Sequence, residues 1–311
     1  MIGTKLIPSL EEVELICHGN AVFDVNILTK EACKPNLKYH ADTLSYNGGG
    51  VAPNIAVAAS RLGGKVGFSG CLSDDCFGQI QYDELKSEGI NLESAVRSTT
   101  ASSVSVIIGQ PDGNSILTGK LFAPQPVHWP IAPAINPKMI LLDGSLKESS
   151  LGWLALARER QITTIFNGGY ISQDAFELAK RVDIVVCSRE FAAAYSQSSD
   201  LEIILKKAPT LCKHFIVTLD REGLAWSWNG KQGLMGAWQV KCLDGVGAGD
   251  AFHGSFCMGL LEGLPFEDNL LKASASGAIC CTGLGARTAL PDAEAVQKFM
   301  ADQTQPEIVF L

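Results

Sequence analysis

The chain has 311 residues, 46% of them hydrophobic, and a formal net charge of −8. That is enough apolar material for one large buried core, and the acidic balance argues against general nucleic-acid or anionic-membrane binding. No apolar run is long enough to cross a bilayer, and residues 1–10 lack the basic and apolar regions of a signal peptide.

In chain order, residues 13–18 read as a first core strand, followed by Gly19-Asn20-Ala21-Val22-Phe23-Asp24. Residues 21–46 favour strands and turns over helix. A glycine run, Asn47-Gly48-Gly49-Gly50, then leads into a helix that ends near Arg61-Leu62-Gly63-Gly64. Residues 66–71 form the next apolar run, and residues 98–122 return to β-formers, with 102–108 alternating as a half-exposed strand does. Five prolines between 124 and 137 mark a structured connector. Short apolar runs at 139–142, 162–166, 184–187 and 215–219 then alternate with helical stretches. Such a pattern predicts an α/β fold, a mostly parallel central sheet covered by helices on both faces. The ten cysteines show no Cys-x-x-Cys pair, and Cys17, Cys187, Cys257, Cys280 and Cys281 fall in apolar stretches. They read as reduced thiols of a cytoplasmic protein.

The densest chemical signal is Leu243-Asp244-Gly245-Val246-Gly247-Ala248-Gly249-Asp250-Ala251-Phe252. Residues 237–243 ahead of it are predicted to be a strand. Phe252, Phe256, Met258 and Leu260 after it give the apolar face of a buried helix that stops at Gly263 and Pro265. Glycines at such a turn let the backbone approach a ligand, and the first-turn amides carry partial positive charge suited to phosphate. Asp250 places a carboxylate beside that anion hole, able to accept the proton of an attacking hydroxyl. A dinucleotide-binding loop fits less well, since Asp250 falls where its third glycine belongs. No Gly-Lys-Ser or Gly-Lys-Thr occurs, which excludes a Walker A loop.

Asp244-x-x-Gly247-Ala248-Gly249-Asp250 resembles the C-terminal signature of the ribokinase-like (PfkB) carbohydrate kinases. Gly49-Gly50-x-x-x-Asn54-x-Ala56 resembles their N-terminal signature, about two hundred residues earlier. The resemblance runs along essentially the whole chain. It implies one ribokinase-like domain over residues 1–311, a three-layer αβα core with a small β-sheet lid built from about 21–46 and 98–122. It implies ATP-dependent phosphorylation of a sugar hydroxyl, with Asp250 as catalytic base and Gly247, Ala248 and Gly249 as anion hole. Asp24, Gly49, Gly50, Asn54, Asp143 and Asn167 would hold the sugar. Asp143 and Asn167 also end apolar strands, where they equally suit turns before Gly144 and Gly168.

The nucleotide positions depart from the family pattern in several places. Thr218-Leu219-Asp220-Arg221-Glu222-Gly223 resembles a Thr-x-Gly-x-x-Gly segment, with Asp220 in place of the middle glycine, and Ser276 stands near a frequent Asn. Glu190 would order water around Mg²⁺, although the Asn that precedes it in an Asn-x-x-Glu pattern is absent. Gly245 replaces the threonine after Asp244, in a loop that involves potassium in several members. Residues 48–63 and Phe252-His253-Gly254 look like a ketose-kinase subgroup that includes sulfofructose kinases; His253 itself reads as a packed helix residue. A neutral pentose or hexose is the expected substrate, with Lys30, Lys34, Lys38, Arg97 and Lys120 as lid cations. A nucleoside kinase using Phe23, Tyr39, Tyr46 or Phe122 to stack a base stays open, as does a silent sugar-binding protein. The lid's β edge is available to pair with a second subunit.

Overall fold

The computed structural model describes residues 5–34, 36–41, 43–110, 113–119, 129 and 131–311. In chain order the strands are β1 (Leu15–His18), β2 (Val22–Leu28), β3 (Thr43–Gly49), β4 (Val66–Ser69), β5 (Cys71–Ser73), β6 (Val96–Ser98), β7 (Ser103–Gln110), β8 (Gly113–Gly119), β9 (Met139–Leu142), β10 (Thr163–Gly168), β11 (Ile184–Ser188), β12 (His214–Thr218), β13 (Leu224–Trp228), β14 (Lys231–Met235) and β15 (Ile308–Phe310). Between them lie α1 (Val51–Arg61), α2 (Cys76–Ser87), α3 (Lys147–Arg160), α4 (Gln173–Ala179), α5 (Arg189–Ser196), α6 (Leu201–Leu211), α7 (Ala248–Leu261), α8 (Phe266–Cys280), α9 (Ala286–Ala289) and α10 (Ala293–Asp302).

The central sheet has the order β15-β14-β13-β12-β11-β10-β9-β1-β4, parallel from β12 to β4 and antiparallel beyond. Its parallel strands are buried on both faces, so they are largely apolar runs whose successive side chains go to opposite cores. Leu15, Cys17, Leu141, Ile165, Val186 and Ile216 join one core with the apolar residues of α1, α7 and α8. Ile16, Ile140, Leu142, Phe166, Val185 and Phe215 join the other, under α3, α4, α5 and α6. The three predicted layers follow from this alternation. After β4 the chain crosses to the far side of β1 to begin β9, so the direction of strand addition reverses between β1 and β9. Ligands of open α/β sheets bind beyond the carboxyl ends at such a reversal.

The lid is a separate four-stranded sheet, β3-β2-β7-β8, in which β2 pairs in parallel with β7. Both lid segments read from the sequence supply it; residues 111–112 and 120–122, with Lys120 and Phe122, and most of the proline connector lie outside the described residues. All ten cysteines are free thiols, six of them buried and Cys281 half-buried.

One expected strand does not form. Residues 237–243 carry no regular structure. The edge of β14 that they would need is taken by β15, and the Gly236 amide donates to the Glu307 carbonyl. Trp238 instead buries its ring and donates to the Leu271 carbonyl of α8. The Leu243 and Asp244 amides both donate to the Cys281 carbonyl. The run at 66–71 also breaks at Gly70 into β4 and β5, and the close approach of the Gly19 carbonyl leaves no room for a side chain at that position.

Candidate active site

Two glycines set the helix entries that frame the site. Gly247 caps α7 with φ of 85°, and a Cβ on it would lie 2.6 Å from the Cα of Ala286. Gly50 caps α1 with φ of 94°, and a Cβ there would lie 2.5 Å from the Asn20 carbonyl oxygen. A side chain at either position faces both the steric cost of positive φ and a backbone collision. Around Gly249 nothing lies within 4 Å of where a Cβ would stand, so the first turn of α7 opens to space. The Ala251 amide is bonded to the Gly247 carbonyl and the Ala248 amide to that of Gly245 at 3.3 Å.

Asp250, in that first turn, is met by Asn54 of α1, whose Nδ2 donates to its Oδ2 at 2.9 Å. Helices α1 and α7 can lie this close because Gly254 faces Ala58 and the Ile55 carbonyl without a side chain between them. Burial pushes the Asp250 carboxyl up to about 7; the Asn54 bond opposes this, Asp24 and Asp143 add to it by repulsion, and Arg287 opposes it. Asp24, on β2, is buried against Gly49 and is pushed up to about 6 by burial, with Arg287 countering. Three carboxylates thus share the carboxyl end of β1 and β9, and an acid held near 7 is suited to exchanging a proton with a hydroxyl.

Asp143 also comes to this place, but behind the others. It is 1% exposed and accepts from the Ser145 amide and hydroxyl, the Asn20 amide and the Ala52 amide at the start of α1. Burial pushes it up to about 6 against those bonds. Asp143 therefore clamps the loop after β1 and the entry of α1 to the end of β9. Asn167, next to the last residue of β10, is buried with Nδ2 against the ring of His253 and with Oδ1 left without a partner. His253 is 4% exposed, its Nδ1 2.7 Å from the Gly249 carbonyl, and burial lowers its pKa. It is a packed helix residue that braces the turn carrying Asp250.

Of the positions expected from the sequence to meet a nucleotide, Glu190, Thr218, Asp220 and Gly223 lie at or just after the ends of β11 and β12, and Ser276 lies on α8. Glu190 is exposed in the first turn of α5, which Ser188 caps by accepting from the Phe191 amide. Thr218 donates to the Cys187 carbonyl, and Asp220 takes a left-handed φ of 51°, the conformation for which a glycine is the usual residue. Gly223 turns the chain into β13. Ser276 is fully buried and its hydroxyl donates to the Lys272 carbonyl within α8. The loop at Asp244 is tied to the segment beyond α8, since its carboxylate accepts from the Val246 and Gly285 amides.

Sequence reasoning passed over three side chains here. Arg287 of α9 is buried between Glu84 and Asn54. Glu84 of α2 accepts from the Gly48 amide as well. Tyr170, after β10, keeps 43% of its surface exposed, and its phenol is raised by partial desolvation and then by Asp143, Asp250 and Asp24. None belongs to a short motif, and only the topology brings them in. Of the lid aromatics, Phe23 is already packed on Phe77, ring centres 4.5 Å apart, and Tyr46 is exposed. Among the described residues, no group of three or more His, Cys, Asp or Glu side chains converges as a metal site.

Residues 14–293 match the profile of the pfkB family carbohydrate kinases. The 5-dehydro-2-deoxygluconokinase of Clostridium perfringens is 28% identical over 286 residues, covering 83% of this chain and 85% of that protein. The ribokinase of Haemophilus influenzae is 24% identical over 265 residues, covering 81% and 87%. Among solved structures, Arabidopsis thaliana ribokinase complexed with ribose and ATP superposes with a TM-score of 0.79 at 22% identity, covering 93% of this chain and 98% of the other.

Proposed function

Since this chain belongs to the pfkB family of carbohydrate kinases, we propose that it moves the terminal phosphoryl group of ATP onto a sugar hydroxyl held between Asp24, Asn54 and Asp250. The observation that carries this reading is the position of Asp250. It is a carboxylate raised to about 7, in the first turn of a helix whose amide face opens to space.

Asp250 orients the attacking hydroxyl and takes its proton as the oxygen bonds to the terminal phosphorus and the bond from that phosphorus to the bridging oxygen breaks, releasing ADP. The amides at Gly247 and Gly249 and the N-terminal end of α7 stabilise charge on the transferring oxygens, while the Ala248 amide, expected in the same anion hole, is taken by the Gly245 carbonyl. Asp24 and Asn54 accept and donate to sugar hydroxyls, with Gly49 and Gly50 forming the floor. Asp143 and Asn167 act one layer behind, fixing the loops that present these groups. Thr218, Asp220 and Gly223 line the nucleotide side; the buried Ser276 supports that wall from within α8.

Mg²⁺ is held largely by phosphate oxygens and water in sites of this kind. The exposed carboxylate at Glu190 fits a water-mediated role. The ion would neutralise phosphate charge. A monovalent cation such as potassium would act at the loop that Asp244 ties to the segment after α8. The chain is read as cytoplasmic, in keeping with ten free cysteines. No helix among the described residues is long and apolar enough to cross a membrane. The exposed Leu44 and Tyr46 on edge strand β3 offer a face to a second copy of this chain.

The test is ADP release with MgATP over pentoses, ketohexoses, sulfosugars, 5-dehydro-2-deoxygluconate and nucleosides, with and without potassium. One sugar should raise turnover above the ATPase background in wild type and not in D250N. Stimulation by nucleosides alone would replace the sugar reading.

A further inference from the structure

The proposed chemistry leaves one buried charge without a task. Arg287 is 4% exposed, and a guanidinium stays protonated and has only donors to offer. Its Nη1 donates to Glu84 Oε2 at 2.7 Å and its Nε to Asn54 Oδ1 at 3.3 Å, while its Nη2 is buried without a partner. Its carbonyl accepts from Arg61 Nη1 at 3.0 Å, so backbone and side chain are both anchored to α1. Glu84 is fixed in turn by the Gly48 amide.

An asparagine amide can present either end to a neighbour. With Oδ1 toward Asp250, two acceptors would oppose each other. A donor-only group behind Asn54 removes that choice, because only Oδ1 can face Arg287. Nδ2 is then left to hold Asp250, at 2.9 Å.

We propose that Arg287 is a positioning residue for phosphoryl transfer: pinned by Glu84, it fixes the orientation of the Asn54 amide and so keeps Asp250 aimed at the substrate hydroxyl. This inference rests on the kinase reading of Asp250. The groups that face Asp250 are Asp24 from β2, Asp143 after β9, Tyr170 after β10, Cys280 from α8 and Arg287 from α9. Arg287 is the cation among them.

Carbon-13 NMR of the aspartate carboxyl groups between pH 4 and 9 reads this coupling without any sugar, with Asp250 assigned by D250N. In R287M the Asp250 midpoint should rise by about one pH unit, through loss of a charge and of an ordered hydrogen bond. N54L should raise it as well, and the double variant should raise it by less than the sum of the two. If R287M does not fold, R287K answers in its place. A lysine keeps the charge but cannot bridge Glu84 and Asn54 together, so a rise of about half a unit is expected. An unmoved midpoint in R287M or R287K, or full additivity with N54L, overturns the inference while leaving the kinase reading intact. Conversely, if D250N phosphorylates sugar at the wild-type rate, the kinase reading falls and takes the catalytic purpose of Arg287 with it, even where the NMR coupling holds.

Discussion

The Asn54 amide donates to the Asp250 carboxylate at 2.9 Å, joining two residues 196 positions apart. Each ends a glycine-led turn into a buried helix, and the two helices cross where Gly254 permits. The bond ties the sugar side of the site to its base. Replacing Asn54 by Leu keeps the bulk and removes the donor. Hydrogen bonds to charged groups contribute about 1.5–3 kcal/mol, so kcat/KM should fall by roughly one to two decades. Steady-state kinetics on a folded N54L protein checks this, and an unchanged kcat/KM would sever the proposed link.

Asp250 should govern the pH dependence of the reaction. Its carboxyl is pushed up to about 7 by burial, so the basic form needed for catalysis accumulates only as pH rises through that region. The profile of kcat/KM should therefore have an acid limb near neutrality, well above that of an ordinary carboxylate. Above that limb D250N should lose roughly two to four decades of turnover, and the gap should narrow as pH falls below it. A limb near pH 4 in the wild type would mean that another group is being titrated.

The same shifts act on stability, in the direction opposite to an ion-paired acid. Asp24 and Asp143 are raised to about 6 and Asp250 to about 7, from 3.8. Between about pH 4 and 7 the native state binds more protons than the unfolded chain, so stability falls as pH rises through this window. D250N should therefore be more stable than wild type at pH 8 and melt at a higher temperature, by about 1.4 kcal/mol for each unit by which the Asp250 carboxyl is raised. The difference should vanish near pH 4. Thermal melts at the two pH values decide it, and a D250N protein less stable than wild type at pH 8 would refute the account.

The core strands were legible in the sequence because a strand buried on both faces must be a continuous apolar run. Asp250 and Asn54 were legible because a glycine turn at a helix start leaves a short, local pattern. Arg287, Glu84 and Tyr170 left no such trace; each stands on a different element, and only the strand order and helix packing bring them to the carboxylates. The expected strand at 237–243 failed for a related reason. Its apolar residues are buried, but by Trp238 under α8 rather than by pairing, and edge occupancy by β15 is not visible locally. Asp220 shows the converse. Its departure from the glycine pattern was visible at once, yet the backbone keeps the left-handed turn, which an aspartate tolerates.

Gly254 offers a test of packing apart from chemistry. A Cβ on it would lie 2.6 Å from Ala58 Cβ, 2.9 Å from the Ala59 nitrogen and 3.0 Å from the Ile55 carbonyl oxygen. Two of these are backbone atoms, so α1 and α7 must separate to admit even a methyl group. Overpacking of this kind costs about 1–3 kcal/mol. It also lengthens the Asn54–Asp250 bond one helical turn away, so G254A should lose both stability and kcat. Gly152, exposed on α3 with only Ile131 nearby at 3.8 Å, provides the contrast. There alanine should stabilise by about 0.5–1 kcal/mol, through helix propensity alone, and leave kcat as it is. Melting temperature and kcat measured on both variants separate the two effects. A G254A protein that melts lower yet turns over normally would show that the helices can part without disturbing the base.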